Sequence, residues 1–165
     1  ASTVSLVKAI DWLLSANVDA INLSLAGPPN RLLEVALKRV AERKVMVLAA
    51  AGNGGPMARP MYPAAYDSVV AVTAVDARGR AFRLANRGDY LDLAAPGVNV
   101  RHALAGGGYA ASSGTSFAVP FAATAAARLM HREPGADVLA RLYASATDLG
   151  APGRDDVYGY GLLMP

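Results

Sequence analysis

Gly114-Thr115-Ser116-Phe117-Ala118-Val119-Pro120 decides how the rest of the chain is read. A serine stands between a glycine turn and an alanine-rich apolar run that continues to about Met130. This predicts a buried helix with a hydroxyl at its mouth. The first N–H groups of a helix have no intrahelical acceptor and carry partial positive charge. A negative charge developing beside Ser116 would be stabilised there. Pro120 is placed in the first turn, where no N–H donor is needed.

Outward from this stretch the chain alternates strand-like and helix-like segments, which predicts an α/β layered fold. Leu6, Ile10, Leu13 and Leu14 recur at helical spacing over Val4–Ala16. Asp19–Leu25 reads as a strand. Asn30 is a candidate cap for a second helix that carries Leu33, Leu37, Val40 and Ala41 on one face. Val45–Ala51 is a continuous apolar run, as in a central strand buried on both faces. Gly52–Ala65, with Pro56, Pro60 and Pro63, is a long loop, and such loops tend to be functional. Ser68–Val75, Tyr90–Ala95 and Val98–Leu104 read as strands, and Gly106-Gly107-Gly108 as a hairpin turn. The helix after Ser116 and a shorter one over Asp137–Ser145 complete the pattern. No repeat or linker divides the chain, so residues 1–165 are read as one unit.

The serine stretch resembles the Gly-Thr-Ser-x-Ala-x-Pro signature of the subtilisin-like serine peptidases. Further segments are similar to that family in the same order. They are Asp19-Ala20-Ile21-Asn22-Leu23-Ser24-Leu25-Ala26-Gly27-Pro28, Val45–Gly54 with its Ala-Ala-Gly-Asn end, Tyr62–Tyr66, Val69–Val75, Leu91–Gly97 and Tyr158–Leu163. The resemblance implies a three-layer α/β/α fold with a mostly parallel sheet, of which the chain is the C-terminal part. It implies a serine endopeptidase working through an acyl-enzyme on Ser116, with the Asn53 side chain donating to the oxyanion. Ser24, Leu25, Ala26 and Gly27 would pair with an extended polypeptide substrate. Ala51 and Gly52 would line the primary specificity pocket. No acidic residue falls among Ser24–Gly27 or Ala50–Gly54, so an apolar preference is expected. Ala26 stands where the family usually has glycine, which narrows the adjoining subsite. Phe121 replaces a customary histidine, a change of packing.

This chemistry needs a histidine base and an orienting aspartate, which precede the serine in the family's order. Residues 1–165 supply neither. His102 lies in a strand-like segment and reads as a surface histidine. His131 stands fifteen residues along the serine's own helix, roughly 20 Å away, whereas a general base works at about 3 Å. The chain alone is therefore expected to be inactive. A noncatalytic peptide-binding half-domain, or pseudopeptidase, is the alternative. The nucleophile elbow of α/β-hydrolases, approximated by Gly114-x-Ser116-x-Ala118, is excluded by order: its acid must stand between the serine and the histidine, and His131, the one histidine after Ser116, precedes every later acid.

The bulk properties fit this reading. Hydrophobic residues make up 53% of the 165 and charged residues 18%, enough for one well-buried core. The formal net charge is +3, but the arginines are scattered. Arg78, Arg80, Arg83 and Arg87 read as a solvated loop, and no nucleic-acid partner is expected. There is no cysteine, hence no disulfide or thiolate site. No apolar run is long enough for a membrane span. No cofactor is expected. Calcium is possible in the intact family domain, but no metal site is identified; Asp155-Asp156 reads as solvated. The resemblance implies a secreted or cell-envelope protein. The edge of Asp19–Leu25 is expected to be bare, with Ile21, Leu23 and Leu25 uncovered, and to pair with a second copy or with the missing N-terminal half.

Overall fold

Alternating faces of a short parallel sheet organise the core. The structure, a computed structural model, describes residues 2–164. Its elements are α1 (Thr3–Ser15), β1 (Ala20–Leu23), α2 (Arg31–Glu42), β2 (Met46–Ala50), β3 (Val70–Val75), β4 (Leu93–Pro96), β5 (Val100–Ala103), β6 (Tyr109–Ser112), α3 (Thr115–Arg132) and α4 (Val138–Ser145). Strands β1 to β4 form a four-stranded parallel sheet in sequence order, and β5 and β6 form a separate antiparallel hairpin.

Successive residues of a strand point to opposite faces. Ile21, Leu23, Val47, Ala49 and Ala71 therefore enter one apolar cluster with Ile10, Leu33, Leu37 and Val40 of α1 and α2. Leu48, Ala50, Val70, Val72, Ala74, Leu93 and Ala95 enter the other, against Ala118, Val119, Ala122 and Ala126 of α3 and Leu142 of α4. The result is the three-layer α/β/α arrangement. Small residues on α3 let the helix lie close to the sheet. Gly97 does the same from the sheet side: a methyl group there would collide with Ala74, the Gly114 carbonyl and Ala118.

Asn30 caps α2 as read from sequence, and Asp137, read as the first residue of the last helix, is its cap. Asn30 accepts from the Leu33 N–H at 3.1 Å and Asp137 from that of Ala140 at 3.1 Å. Several details differ. Ala41 is exposed rather than on the core face of α2. Tyr158–Leu163 forms no strand; it covers β4 through single bridges, with Leu163 N–H donating to Ala94 O at 2.8 Å. Pro120 is not in the first turn but is the sixth residue of α3.

At the other edge, β1 pairs only with β2 among the described residues, so a bare backbone edge is present. Its side chains are not bare. Ile21 and Leu23 are buried under α1 and α2, and of the three expected apolar residues only Leu25 is exposed. The helical layer covers the side chains that the sheet edge cannot, which removes the apolar part of the expected attraction.

Asp92, at the start of β4, is mostly buried. It accepts from Ala71 N–H at 2.8 Å and from the Tyr143 hydroxyl at 3.1 Å, with Arg154 at 3.4 Å. Burial raises its pKa, and those three partners pull the other way. Tyr143 stacks on Tyr160 with centroids 4.0 Å apart. Burial, then the neighbouring Asp92 charge, holds its phenol far above the ordinary range. A raised phenol pKa means that the unfolded chain loses this proton first. The stabilisation is complete below about pH 10 and fades as pH rises beyond it. Tyr143→Phe is expected to flatten the fall in melting temperature between pH 9 and 11, at a cost of about 1 kcal/mol at pH 8 for the lost hydrogen bond. Melting curves across that range check it; an unchanged alkaline slope would contradict the assignment.

Candidate active site

The C-terminal ends of the parallel strands converge on the N-terminus of α3, the usual place for a site in an open α/β sheet. Gly114, the residue before α3, has no side chain to cap the helix. The cap comes from the loop after β2 instead. Asn53 Oδ1 accepts from the Thr115 N–H at 2.9 Å and from the Thr115 hydroxyl at 3.1 Å. Thr115 Oγ1 in turn accepts from the Gly52 N–H at 3.2 Å. A backbone N–H can only donate, so the Asn53 oxygen must face Thr115 and its Nδ2 must face away. Asn53 is exposed while Thr115 is fully buried, so the free amide projects toward solvent. The next amide of the helix, that of Ser116, has no acceptor among the described residues. Two N–H donors are thus available beside one hydroxyl.

Ser116 is the second residue of α3 and is half-buried. An interior proline leaves the carbonyl four residues earlier without its intrahelical donor. For Pro120 that carbonyl is Ser116 O, and the Ser24 hydroxyl, 2.9 Å away, donates to it. The Ser116 hydroxyl points back to Ser24 O at a long 3.4 Å. Pro120 therefore serves to dock the end of the β1 segment onto the serine, not to ease the first helical turn. Composition gave no signal for the Ser24–Ser116 exchange or for the Thr115 clamp.

The residues expected to bind substrate gather at the same place. Ser24, Leu25 and Ala26 form an exposed segment leaving β1. Gly27 differs from expectation: its N–H and C=O are both taken by Tyr62, at 2.7 and 2.9 Å, so it closes the segment and offers no free backbone group. Ala51 and Gly52 are buried and held in place, Ala51 by Val72 O and the Tyr90 hydroxyl, Gly52 by Thr115 and by Asn86 N–H.

Neither histidine serves the serine. His102, on β5, packs against Phe117 with ring centroids 5.1 Å apart, which brings it closer to the site than a surface histidine. Its Nε2 is nevertheless engaged with Ser112 Oγ at 2.8 Å and its Nδ1 with Ala103 O at 3.0 Å. His131 is in the last turn of α3, in a hollow shared with Asp19 before β1. That is the opposite end of the sheet from Ser116. Asp155 is occupied as a turn staple, its carboxylate accepting from the N–H groups of Ala151, Val157 and Tyr158.

The family model of the subtilases, peptidase family S8, matches residues 1–161. The chain belongs to the subtilase family. Among curated relatives, a subtilisin from Bacillus pumilus is 39% identical over 168 aligned positions, covering 96% of this chain and 59% of the relative. The minor extracellular protease Epr of Bacillus subtilis is 36% identical, covering 97% of the chain and 25% of that protein. The chain thus spans between about a quarter and three fifths of these relatives. Among solved structures, the prenylagaramide maturation protease PagA superposes with a TM-score of 0.84 at 29% identity, covering 98% of this chain and 64% of that one. Fervidolysin from Fervidobacterium pennivorans, a keratinolytic enzyme, gives 0.85 at 26% identity, with 96% and 27% covered. The subtilase fold therefore accounts for the sheet, its two helical layers and the placing of the Ser116 helix. No helix among the described residues is long and apolar enough to cross a membrane.

Proposed function

We propose that this subtilase chain carries the nucleophile and the oxyanion donors of a serine endopeptidase. One observation carries the reading: Thr115 engages Asn53 Oδ1, which leaves the Asn53 Nδ2 without a partner among the described residues, at the helix start where the Ser116 N–H is also unpaired. Ser116 Oγ attacks the scissile carbonyl. A histidine outside residues 1–165 takes its proton and returns it to the leaving amine. The carbonyl oxygen, negative in the tetrahedral intermediate, is held by Asn53 Nδ2 and the Ser116 N–H. Water then hydrolyses the acyl-enzyme. The substrate is an extended polypeptide lying along Ser24–Ala26, with an apolar side chain toward Ala51 and Gly52. Secretion, in keeping with a relative described as extracellular, is part of the proposal.

A fluorophosphonate probe on the intact protein tests it. Ser116 is expected to be the labelled residue, shown by peptide mass mapping, and Ser116→Ala should abolish labelling and lower peptide hydrolysis by about 10⁶-fold. Labelling elsewhere, or hydrolysis by Ser116→Ala at a rate comparable to the parent's, would refute the proposal.

A further inference from the structure

The loop that presents Asn53 is held by a residue with no place in the chemistry so far. Asn86 lies in the long connection between β3 and β4 and is fully buried. Its backbone N–H donates to Gly52 O at 3.0 Å. Its Oδ1 accepts from the Gly54 N–H at 2.7 Å, and its Nδ2 donates to Arg59 O at 3.1 Å. One side chain and one amide therefore grip the residues immediately before and after Asn53. Leu84, two residues earlier, extends the contact by accepting from Gly55 N–H at 2.8 Å.

The glycines on either side of Asn53 follow from this approach. Gly52 has φ of +109°, and a methyl group there would strike Asn86 Nδ2 at 2.9 Å. At Gly54 it would crowd Asn86 Oδ1 at 3.3 Å, and Ala58 more closely. Adjacency in the chain says nothing about why glycine stands on both sides of Asn53. In the structure the two glycines make room for Asn86. Thr115 fixes which way the Asn53 amide points; nothing else among the described residues fixes where its backbone stands from both sides. A burial cost attends any side-chain amide in a core, and it is met only by full hydrogen bonding. Asn86 is bonded at both its side-chain oxygen and its nitrogen, and the oxygen serves the Asn53 loop.

We infer that Asn86 is a positioning residue for the oxyanion donor, acting through the backbone of Gly52 and Gly54. The inference rests on the proposed role of Asn53. A misplacement of about 1 Å at a reacting centre can cost roughly 100-fold in rate, so a loosened loop should be felt in turnover more than in substrate binding. In the intact protein Asn86→Leu, which keeps the volume and removes both side-chain bonds, is expected to lower kcat about 10- to 50-fold with KM within about twofold. Asn86→Asp, which keeps the acceptor for Gly54 N–H, is expected to recover much of that loss even where it lowers Tm. In an Asn53→Leu background the further change Asn86→Leu should lower kcat by less than about threefold, because the donor it positions is already gone. Amide exchange on the unsubstituted protein gives a reading that needs no variant to fold. Gly54 is exposed, so its N–H should exchange freely unless the Asn86 bond holds it; protection of at least about 100-fold is expected. Full additivity of the two Leu substitutions, an unchanged kcat in Asn86→Leu, or rapid exchange at Gly54 would each overturn the inference. If Asn53→Leu itself leaves kcat unchanged, the oxyanion assignment fails instead, and the positioning role falls with it.

Discussion

Residues 1–165 by themselves should hydrolyse a chromogenic peptide roughly 10⁴- to 10⁶-fold more slowly than a complete domain in which a base reaches Ser116, the usual cost of losing a triad member. The geometry gives the reason. The Ser116 hydroxyl has only a carbonyl, Ser24 O, at 3.4 Å, and a carbonyl cannot accept its proton in the attack. His102 Nε2 is tied to Ser112, and His131 stands at the far end of the sheet. The proposed oxyanion donors remain, so a residual rate above water is expected, and because those donors do not depend on the serine hydroxyl it should largely survive Ser116→Ala in the same chain. Initial rates, with fluorophosphonate labelling of chain and complete domain side by side, check this. Labelling of the isolated chain at a rate comparable to the complete domain would show that a base within these residues reaches the serine.

Asn53 should contribute mainly to turnover. In the complete domain Asn53→Leu is expected to lower kcat about 10²- to 10³-fold, roughly 3–4 kcal/mol of barrier, with little change in KM. The bond to the oxyanion is strong only once charge has developed on the carbonyl oxygen, so its loss spares the ground state. Asn53 has a second duty, because its Oδ1 caps α3 through Thr115. Leucine also removes that cap, at about 1 kcal/mol of stability. Asn53→Asp separates the two roles. A carboxylate can still accept from Thr115 and suits the positive end of the helix, but it cannot donate to an oxyanion. Its kcat should fall at least as far as that of the leucine variant while its melting temperature stays at or above the parent's. A loss carried by KM, or an aspartate variant with near-parent turnover, would mean that Asn53 positions substrate rather than stabilising charge.

The elements of the fold were legible because the local signals agree. Asn30 and Asp137 cap helices as their types predict, and Leu33, Leu37 and Val40 mark the core face of α2. Strand boundaries differ by up to three residues, as at Asp19–Leu25 against the observed Ala20–Leu23 and Tyr90–Ala95 against Leu93–Pro96, because the extended backbone continues beyond the residues that the ladder bonds pair. β6 was implied only by the glycine turn before it: Tyr109–Ser112 is a partly exposed ribbon with no apolar run to announce it. Asp92 and Tyr143 lie 51 positions apart and carry no mutual signal in the chain.

The sequence by itself determined the family and the order of elements. It also points to Ser116 and Asn53 as the candidate groups, since each reading rests on residues adjacent in the chain. The tertiary structure decided what depends on distant segments meeting. A run such as Met46–Ala50 is apolar at every position, so no periodicity says which residue faces which helical layer; packing assigned Val47 to one side and Leu48 to the other. Gly27 reads from the chain as available for substrate, but Tyr62 occupies both its backbone groups. Pro120 reads from the chain as a first-turn residue, but it lies inside α3 and the carbonyl it leaves unpaired is bonded by Ser24. In the last two cases the outcome turns on a hydrogen bond between residues tens of positions apart. Short-range propensity carries no information about such a partner, whereas the requirement to satisfy every buried polar group selects it once the chain has closed.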